Sequence, residues 1–300
     1  MTDGHPFPSP PGRARIVCAI GAHVDDVLHL ANAASAGQSV PAVAAPTTIG
    51  GCAFNVAAAL ARAGHEVSHA ALRGADADGE LVVDALEQCG IADVGLALPG
   101  ETTGRYVAML QPDGTLALAA AAMAIYARSD ALIRHPPFLD AARAADLLVL
   151  DANADPSRIE DLRAACGART RLALLATSAS KAPALSRVLP GADILFANES
   201  EWDALGSLAE AVPLAFLTRG AEGATALERG RPVASIPSAA RTVRSVIGAG
   251  DAFAAGALDS LLRGHAPQSA LRHGTVRAAA CLARPGARDW LDDHDWSDRP

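Results

Sequence analysis

Residues 246–256 read Val246-Ile247-Gly248-Ala249-Gly250-Asp251-Ala252-Phe253-Ala254-Ala255-Gly256, and the reading of this stretch decides the fold. Two glycines permit a tight turn, an acidic residue follows at once, and the small apolar residues beyond it read as a buried helix over 251–263, stopped by Gly264. A helix that starts here turns several unpaired N–H groups toward one point, with the positive end of its dipole behind them. Such a point suits a phosphate or a developing oxyanion. A carboxylate is a poor neighbour for that anion unless it takes up a proton. Asp251 is therefore a candidate general base, beside an anion hole built from the main chain of Gly248, Ala249 and Gly250. The same residues also fit a plain glycine turn with an acidic helix cap, and Gly-Ala-Gly-Asp by itself does not separate the two.

A second stretch, residues 49–64, reads Ile-Gly-Gly-Cys-Ala-Phe-Asn-Val-Ala-Ala-Ala-Leu-Ala-Arg-Ala-Gly. The pair Gly50-Gly51 opens an alanine-rich helix over 53–63, Gly64 stands where a C-cap belongs, and Asn55 is the one amide in its first turns. Together the two stretches resemble the two signatures of the ribokinase-like (PfkB-type) carbohydrate kinases. Three further segments extend the resemblance in the right order over residues 16–284. They are Gly21-Ala22-His23-Val24-Asp25 after the apolar run 16–20, Asn198-Glu199-Ser200-Glu201 after the run 194–197, and Leu217-Thr218-Arg219-Gly220-Ala221-Glu222-Gly223-Ala224.

The resemblance implies an α/β chain: a three-layer α/β/α sandwich with a mostly parallel central sheet and a small β-sheet lid. It implies that Asp25, Gly50, Gly51 and Asn55, with Tyr106 of the lid, hold the acceptor. It implies that Asn198, Thr218, Gly220 and Gly223 lie along ATP, that Glu201 organises Mg²⁺ through water, and that Asp251 takes the hydroxyl proton while residues 248–250 cradle the phosphoryl group. The run before Gly248 departs from the family's Asp-Thr-Thr. Here it is Ser245-Val246-Ile247, which puts K⁺ activation in doubt, although nearby Arg244 offers a positive charge.

Periodicity agrees with that fold class. Short β-favouring runs at 15–21, 67–72, 146–151, 171–176, 193–197, 214–218 and 224–227 alternate with helical segments near 53–63, 79–89, 157–166, 181–189, 199–210, 251–263 and 267–283. Two segments interrupt the alternation, 26–48 and 104–119. The second carries the turn signal Pro112-Asp113-Gly114 between two strand-like runs and reads as a hairpin. By resemblance these are the lid segments of one kinase domain over 15–300, preceded by a flexible, proline-rich tail over 1–14. Val107, Met109 and Leu110 are the candidate apolar surface for a homodimer through the lid.

Composition excludes several other classes. The formal net charge is −8 and no long basic run occurs, so neither nucleic acid nor an anionic membrane is an expected partner. No Gly-Lys-Ser/Thr exists, Lys181 being the sole lysine, which rules out a P-loop. Gly248, Gly250 and Gly256 do not make the Gly-x-Gly-x-x-Gly of a dinucleotide-binding dehydrogenase. The five cysteines are dispersed, without a Cys-x-x-Cys pair, and read as reduced core thiols of a cytoplasmic protein; His23 and His29 lack the cysteine partners of a zinc site. The first residues have no apolar core of a signal peptide, and the alanine-rich run 117–125 is too short to span a bilayer.

Within the family, the closest resemblance is to pseudouridine kinases. It rests on residues 21–25, Thr103-Gly104-Arg105-Tyr106, Asp113-Gly114, Met123, Asp151-Ala152-Asn153 and Ser178-Ala179-Ser180-Lys181. Phe54 stands where such relatives often carry a basic residue, and Ala121-Ala122 replaces a more polar pair. Phe54 is either an aromatic face for a flat base or part of the core. The expected activity is ATP-dependent phosphorylation of a ribosyl 5′-hydroxyl, with pseudouridine as the acceptor. A free sugar of the ribose or fructose type is the alternative acceptor, and a non-catalytic nucleoside or sugar sensor the alternative function.

Overall fold

A computed structural model describes residues 13–291 other than 36 and 38. The tail expected over 1–14 lies almost wholly outside the described residues, as does the end of the domain beyond 291. In chain order the elements are β1 (Arg15–Ile20), β2 (His23–Leu30), β3 (Ala42–Ala44), β4 (Thr48–Gly50), α1 (Cys52–Arg62), β5 (Glu66–Gly74), α2 (Ala77–Gln88), β6 (Ala92–Asp93), β7 (Leu96–Leu98), β8 (Arg105–Leu110) and β9 (Leu116–Ala122). A 3-10 segment, Ala124–Arg134, leads to α3 (Pro136–Ala144), β10 (Leu147–Asp151), α4 (Ile159–Ala164), β11 (Arg171–Leu175), β12 (Ile194–Asn198), α5 (Glu199–Leu205), α6 (Ser207–Glu210), β13 (Leu214–Thr218), β14 (Ala224–Glu228), β15 (Arg231–Ile236), α7 (Ala249–Leu262) and α8 (Pro267–Leu282).

The larger sheet has the order β15-β14-β13-β12-β11-β10-β1-β5-β6, with β7 also beside β5. It is parallel from β13 to β6, and antiparallel only where β14 and β15 close one edge. Strands with helices on both faces must be apolar on both, and β1 and β10 show it: Ile16 and Cys18 enter one core, Val17 and Ala19 the other, and every residue of β10 is buried. One core holds α1 and α7, whose alanines let them lie close to the sheet; the other holds the 3-10 segment 124–134, α3 and α4. A separate smaller sheet runs β3-β2-β8-β9, with β4 on β2. Its strands start at His23 and end at Gly50 and Ala122, so they extend beyond the 26–48 and 104–119 segments read from sequence. The turn at Pro112-Asp113-Gly114 is formed, with Gly114 at φ 84° and Gln111 N–H donating to Thr115 O.

Several elements differ from the periodicity reading. The helix expected over 181–189 is two 3-10 turns, Ala182–Arg187 and Leu189–Gly191, with Pro183 and Pro190 in their first turns. The helix expected over 199–210 breaks at Gly206, which takes φ 58°. Strand β15 was hidden by Pro232, which an edge strand tolerates. The pattern around 124–144 carries no strand–helix alternation and gave no hint of its 3-10 segment or of α3.

The position of α7 is fixed at both ends. At its start, Phe253 meets the stacked pair Phe196–Phe216 edge-on, which pins the helix to the ends of β12 and β13. At its end, Asp259 Oδ1 accepts from buried His65 Nε2 at 3.0 Å and from Arg263 Nε at 2.8 Å. Ala14 N–H donates to His65 Nδ1, so Nε2 carries the ring proton. Burial alone would raise the Asp259 carboxyl, but His65 and Arg263 hold it below the usual carboxylate range. A depressed folded value means that the contribution to stability is present above the unfolded pKa and is lost as pH falls through the folded one. Asp259→Ala is expected to cost about 3 kcal/mol at neutral pH, since it leaves His65 unpaired in the core, and the deficit should shrink in acid; urea titrations at pH 7 and pH 3 measure both.

Candidate active site

Parallel strands leave their carboxyl ends along one edge of the sheet, and helix N-termini gather there. Asn198 ends β12, Thr218 ends β13 directly beside it in register, and α7 starts above them. Between these lies a cleft of about 250 Å³ lined by Thr177, Asn198, Glu201, Thr218, Gly250 and Asp251, with Cys52, Phe253 and Gly248 at its inner wall.

The start of α7 has the form that the Gly-Ala-Gly-Asp turn led us to expect. Gly248 takes φ 81°, a conformation only glycine adopts freely, and no side chain caps the helix. The first-turn amides are not equivalent. Ala249 N–H leans to Val246 O at 3.4 Å, and Ala249 does not line the cleft; Gly248, Gly250 and Asp251 do. A side chain at Gly250 would meet no atom within 4 Å and would extend into open space beside the cleft.

Asp251 is held by a single strong partner, Asn55 of α1, whose Nδ2 donates to Oδ2 at 2.8 Å. Burial pushes the Asp251 carboxyl up to about 6; Asn55 and the Cys52 thiol pull it down, and the nearby Asp151 and Glu201 push it up again. A carboxylate near 6 is a better proton acceptor than an ordinary aspartate and is still ionised at neutral pH.

Asn198 and Glu201 form a capping box at the start of α5. Glu201 N–H donates to Asn198 Oδ1 at 3.0 Å, and Asn198 N–H donates to Glu201 Oε2 at 2.9 Å. Asn-x-x-Glu after a strand is itself a helix-start signal, so both residues have a structural duty that the motif comparison does not reveal. Glu201 Oε1 carries no hydrogen bond among the described residues, and burial raises its carboxyl. No cluster of three His, Cys, Asp or Glu side chains that could hold a metal occurs among the described residues. A bare ion would thus lack a cage, whereas a hydrated Mg²⁺ touching Glu201 through water fits the one free oxygen.

The acceptor-side residues lie where the two sheets meet. Asp25 of β2 stands beside Tyr106 of β8 in register, and its carboxylate lies over Gly50, where any side chain would collide with it. Gly51 takes φ 113°, and a Cβ there would strike the Gly21 carbonyl. Oδ1 of Asp25 and Oδ1 of Asn55 are both buried without a hydrogen-bond partner. Asp25 Oδ1 lies 3.3 Å from His23 Nε2; buried acceptors are rarely left unpaired, so Asn55 Oδ1 calls for a donor from outside the chain.

Other expected residues stand elsewhere. Gly220 takes φ 54° but does not line the cleft, and Gly223 is glycine because a Cβ would collide with Ile236 O of the neighbouring strand. Phe54 is fully buried, edge-on to His69 and covered by the Arg288 guanidinium at 4.6 Å, so it is core and offers no face to a base. Cys52 is a cleft residue touching Asp251 and not a plain core thiol; its place as the first residue after Gly51 was the available signal. Thr177, at φ 65°, had none. Asp151, read only as part of a substrate-type motif, is a clamp: it accepts from Gly21 N–H at 3.1 Å, Ala53 N–H at 3.3 Å and Asn153 N–H at 3.0 Å. Lys181 Nζ donates to Asn153 Oδ1 at 2.5 Å.

Residues 15–293 match the model of the pfkB family carbohydrate kinase. Among solved structures, a carbohydrate kinase from Agrobacterium tumefaciens is 32% identical with a TM-score of 0.78, over 93% of this chain and 96% of that one. The Arabidopsis thaliana ribokinase complexed with ribose and ATP is 21% identical, TM-score 0.74, over 93% and 96%. A Burkholderia thailandensis nucleoside kinase in complex with inosine is 19% identical, TM-score 0.71, over 92% and 93%. No helix among the described residues is long and apolar enough to cross a membrane.

Two measurements test this geometry. A raised folded pKa at Asp251 costs stability as pH rises from the unfolded value toward about 6, and above that the cost is fully present. Asp251→Asn should therefore stabilise the ligand-free protein by about 3 kcal/mol at pH 7.5, seen as a higher Tm, with no gain near pH 4. Gly250→Val should fold normally, because its Cβ has room, yet raise the KM for the nucleotide at least about tenfold by obstructing the cleft.

Proposed function

The chain belongs to the pfkB family of carbohydrate kinases and is a phosphotransferase with an alcohol as acceptor; from that premise we propose that it moves the γ-phosphoryl group of ATP to the 5′-hydroxyl of a ribosyl compound, pseudouridine being the acceptor its motifs favour. The observation that carries this is the Asp251 carboxylate at the mouth of an uncapped helix, tied to Asn55 and raised to about 6.

Phosphoryl transfer leaves the protein little covalent chemistry; it needs positioning and charge stabilisation. The acceptor hydroxyl lies against Asp251, which takes its proton as the new O–P bond forms. The N–H groups of Gly250 and Asp251 receive charge that spreads over the phosphoryl oxygens. Asn55 keeps the carboxylate from rotating away, so its role is to hold the base as well as to meet the acceptor. Mg²⁺, when bound with the nucleotide and reached from Glu201 through water, supplies further neutralisation of the phosphates. Asn198 and Thr218 form the wall that the phosphates pass.

The unpaired Asn55 oxygen and the Asp25 carboxylate suit an acceptor rich in O–H or N–H groups. Both a ribosyl nucleoside and a free sugar offer these. The Arabidopsis fold relative was solved with ribose and ATP, and the Burkholderia one with inosine. The burial of Phe54 favours the free sugar as the second reading, because it removes the one aromatic face that the sequence offered to a base.

ADP release measured over a panel of nucleosides and free sugars, with the phosphate position read on the product, decides between them. Turnover with pseudouridine and not with ribose supports the first acceptor. Binding without turnover for every compound would leave a sensor and sink the kinase. With the best acceptor, kcat/KM should rise with pH through about 6 and then level, following ionisation of Asp251. Asp251→Asn should lower kcat by about 10³-fold or more at every pH.

A further inference from the structure

The segment after α8 crosses to the starts of α7 and α1, and it is tied down along its length. Ala287 packs against Gly248, so closely that a Cβ on that glycine would stand 2.6 Å from the alanine Cβ. Gly286 N–H donates to Asp289 Oδ2 at 2.9 Å. Trp290 is buried in the core that holds α1 and α7, and its Nε1 donates to Ala287 O at 2.9 Å. Arg62 Nε of α1 donates to Leu291 O at 3.1 Å. Arg288 sits in the middle of this anchored turn, and its side chain is different. The guanidinium lies over the Phe54 ring, 4.6 Å from the centroid, and among the described residues it donates no hydrogen bond and joins no ion pair. The residue is half-buried. A cation partly withdrawn from water, with its N–H groups unused, is compensated only in part by an aromatic face.

The surroundings place that cation on the acceptor side of the site. Phe54 immediately precedes Asn55 in the first turn of α1, and the neighbouring Ala287 touches the turn that opens α7. Burial lowers the Arg288 pKa, while Cys89, Asp25 and Asp289 act to raise it, so the Asp25 carboxylate over Gly50 is within electrostatic reach. Asp25 and Asn55 Oδ1 can only accept hydrogen bonds, and Asn55 Nδ2 is committed to Asp251. The acceptor side is thus rich in hydrogen-bond acceptors and poor in donors, and Arg288 brings donors in a rigid fork. We propose that Arg288 is a specificity residue of the acceptor site, and that its guanidinium, seated on Phe54, donates to an sp² oxygen that the acceptor carries in addition to its hydroxyl groups. The inference deepens the kinase reading above and rests on it. Such an oxygen is a carbonyl on the base of a nucleoside or the carboxylate of a sugar acid; a plain sugar has neither. Phe54, which offers no face to a base, then serves recognition by holding the group that does the recognising.

Arg288→Met keeps an apolar cover on Phe54 and removes every donor, so it separates recognition from packing; far-UV circular dichroism and Tm check its fold. The full chain is assayed at saturating ATP with pseudouridine, which has carbonyls on its base, with gluconate, which has a carboxylate, and with ribose, which has hydroxyls only. For whichever of the first two the wild type uses better, Arg288→Met should raise KM about tenfold or more, with the ATP KM unchanged and the ribose KM within about twofold. Arg288→Lys, which keeps the charge and loses the fork, should recover part of the loss. The wild-type preference between pseudouridine and gluconate tells a carbonyl from a carboxylate. An unchanged KM for both overturns the proposal; so does an equal rise for ribose, which makes Arg288 a packing residue, and so does a wild type that prefers ribose to both. Wild-type turnover of any of these compounds upholds the kinase reading whatever the Arg288 variants do. If the wild type turns over none of them, that reading falls separately, and calorimetric Kd values take the place of KM with the same expected ratio; failure to bind either pseudouridine or gluconate then overturns the proposal too.

Discussion

One hydrogen bond, from Asn55 to Asp251, joins residues 196 positions apart and sets the geometry on which the site depends. It ties the first turn of α1 to the first turn of α7. Elsewhere α1 is held by burial of small residues against the sheet, a force without direction, and α7 by the same burial together with Phe253 and the Asp259 hydrogen bonds. Burial fixes how far the helices lie from the strands; it does not fix the rotation that brings a carboxylate to the cleft. The amide–carboxylate bond does so. Its cost is a carboxyl kept in a place that disfavours its charge, which is the same property that makes it a competent base.

Asp151 plays a complementary part. It is wholly buried, and its two oxygens collect N–H groups from the β1–β2 turn, the start of α1 and the segment after β10. Burial raises its carboxyl despite those bonds, so the chain bears a second ionisable group that folding disfavours. Its return is positional: the Gly50-Gly51 turn, the start of α1 and the β1–β2 turn are registered on one atom pair, and Asn55 and Asp25 are placed by that registration. A set of charges in this arrangement trades stability for geometry, as functional sites commonly do.

Much of this was legible in the sequence because glycine and aspartate in fixed order have few physical uses. The Gly248–Asp251 turn, the long buried α7, the seven main strands and the hairpin at Pro112-Asp113-Gly114 followed from spacing and turn chemistry. What was not legible falls into two kinds. Some residues have duties that a motif conceals: Gly223 is required by the backbone of a neighbouring strand, Asn198 and Glu201 cap each other, and Phe54 packs under Arg288. Others act only through tertiary contact. Thr177, Asp151 and His23 reach their partners across 25, 98 or more, and 103 positions, distances over which single-sequence periodicity carries no information. The helix expected at 181–189 belongs to neither kind; the segment forms two short 3-10 turns, each with a proline in its first turn, Pro183 and Pro190.

The smaller sheet is not a separate module hung from the larger one. Only Gly21 and Ala22 separate β1 from β2, and only Gly51 separates β4 from α1. The chain crosses back near Gly104, beside His23, and again at Met123, whose sulfur also lies against Gly104. All four crossings therefore converge on the few ångströms occupied by Asp25, Gly50 and Tyr126. A molecule that fills that space therefore touches the joints between the two sheets and not one sheet alone.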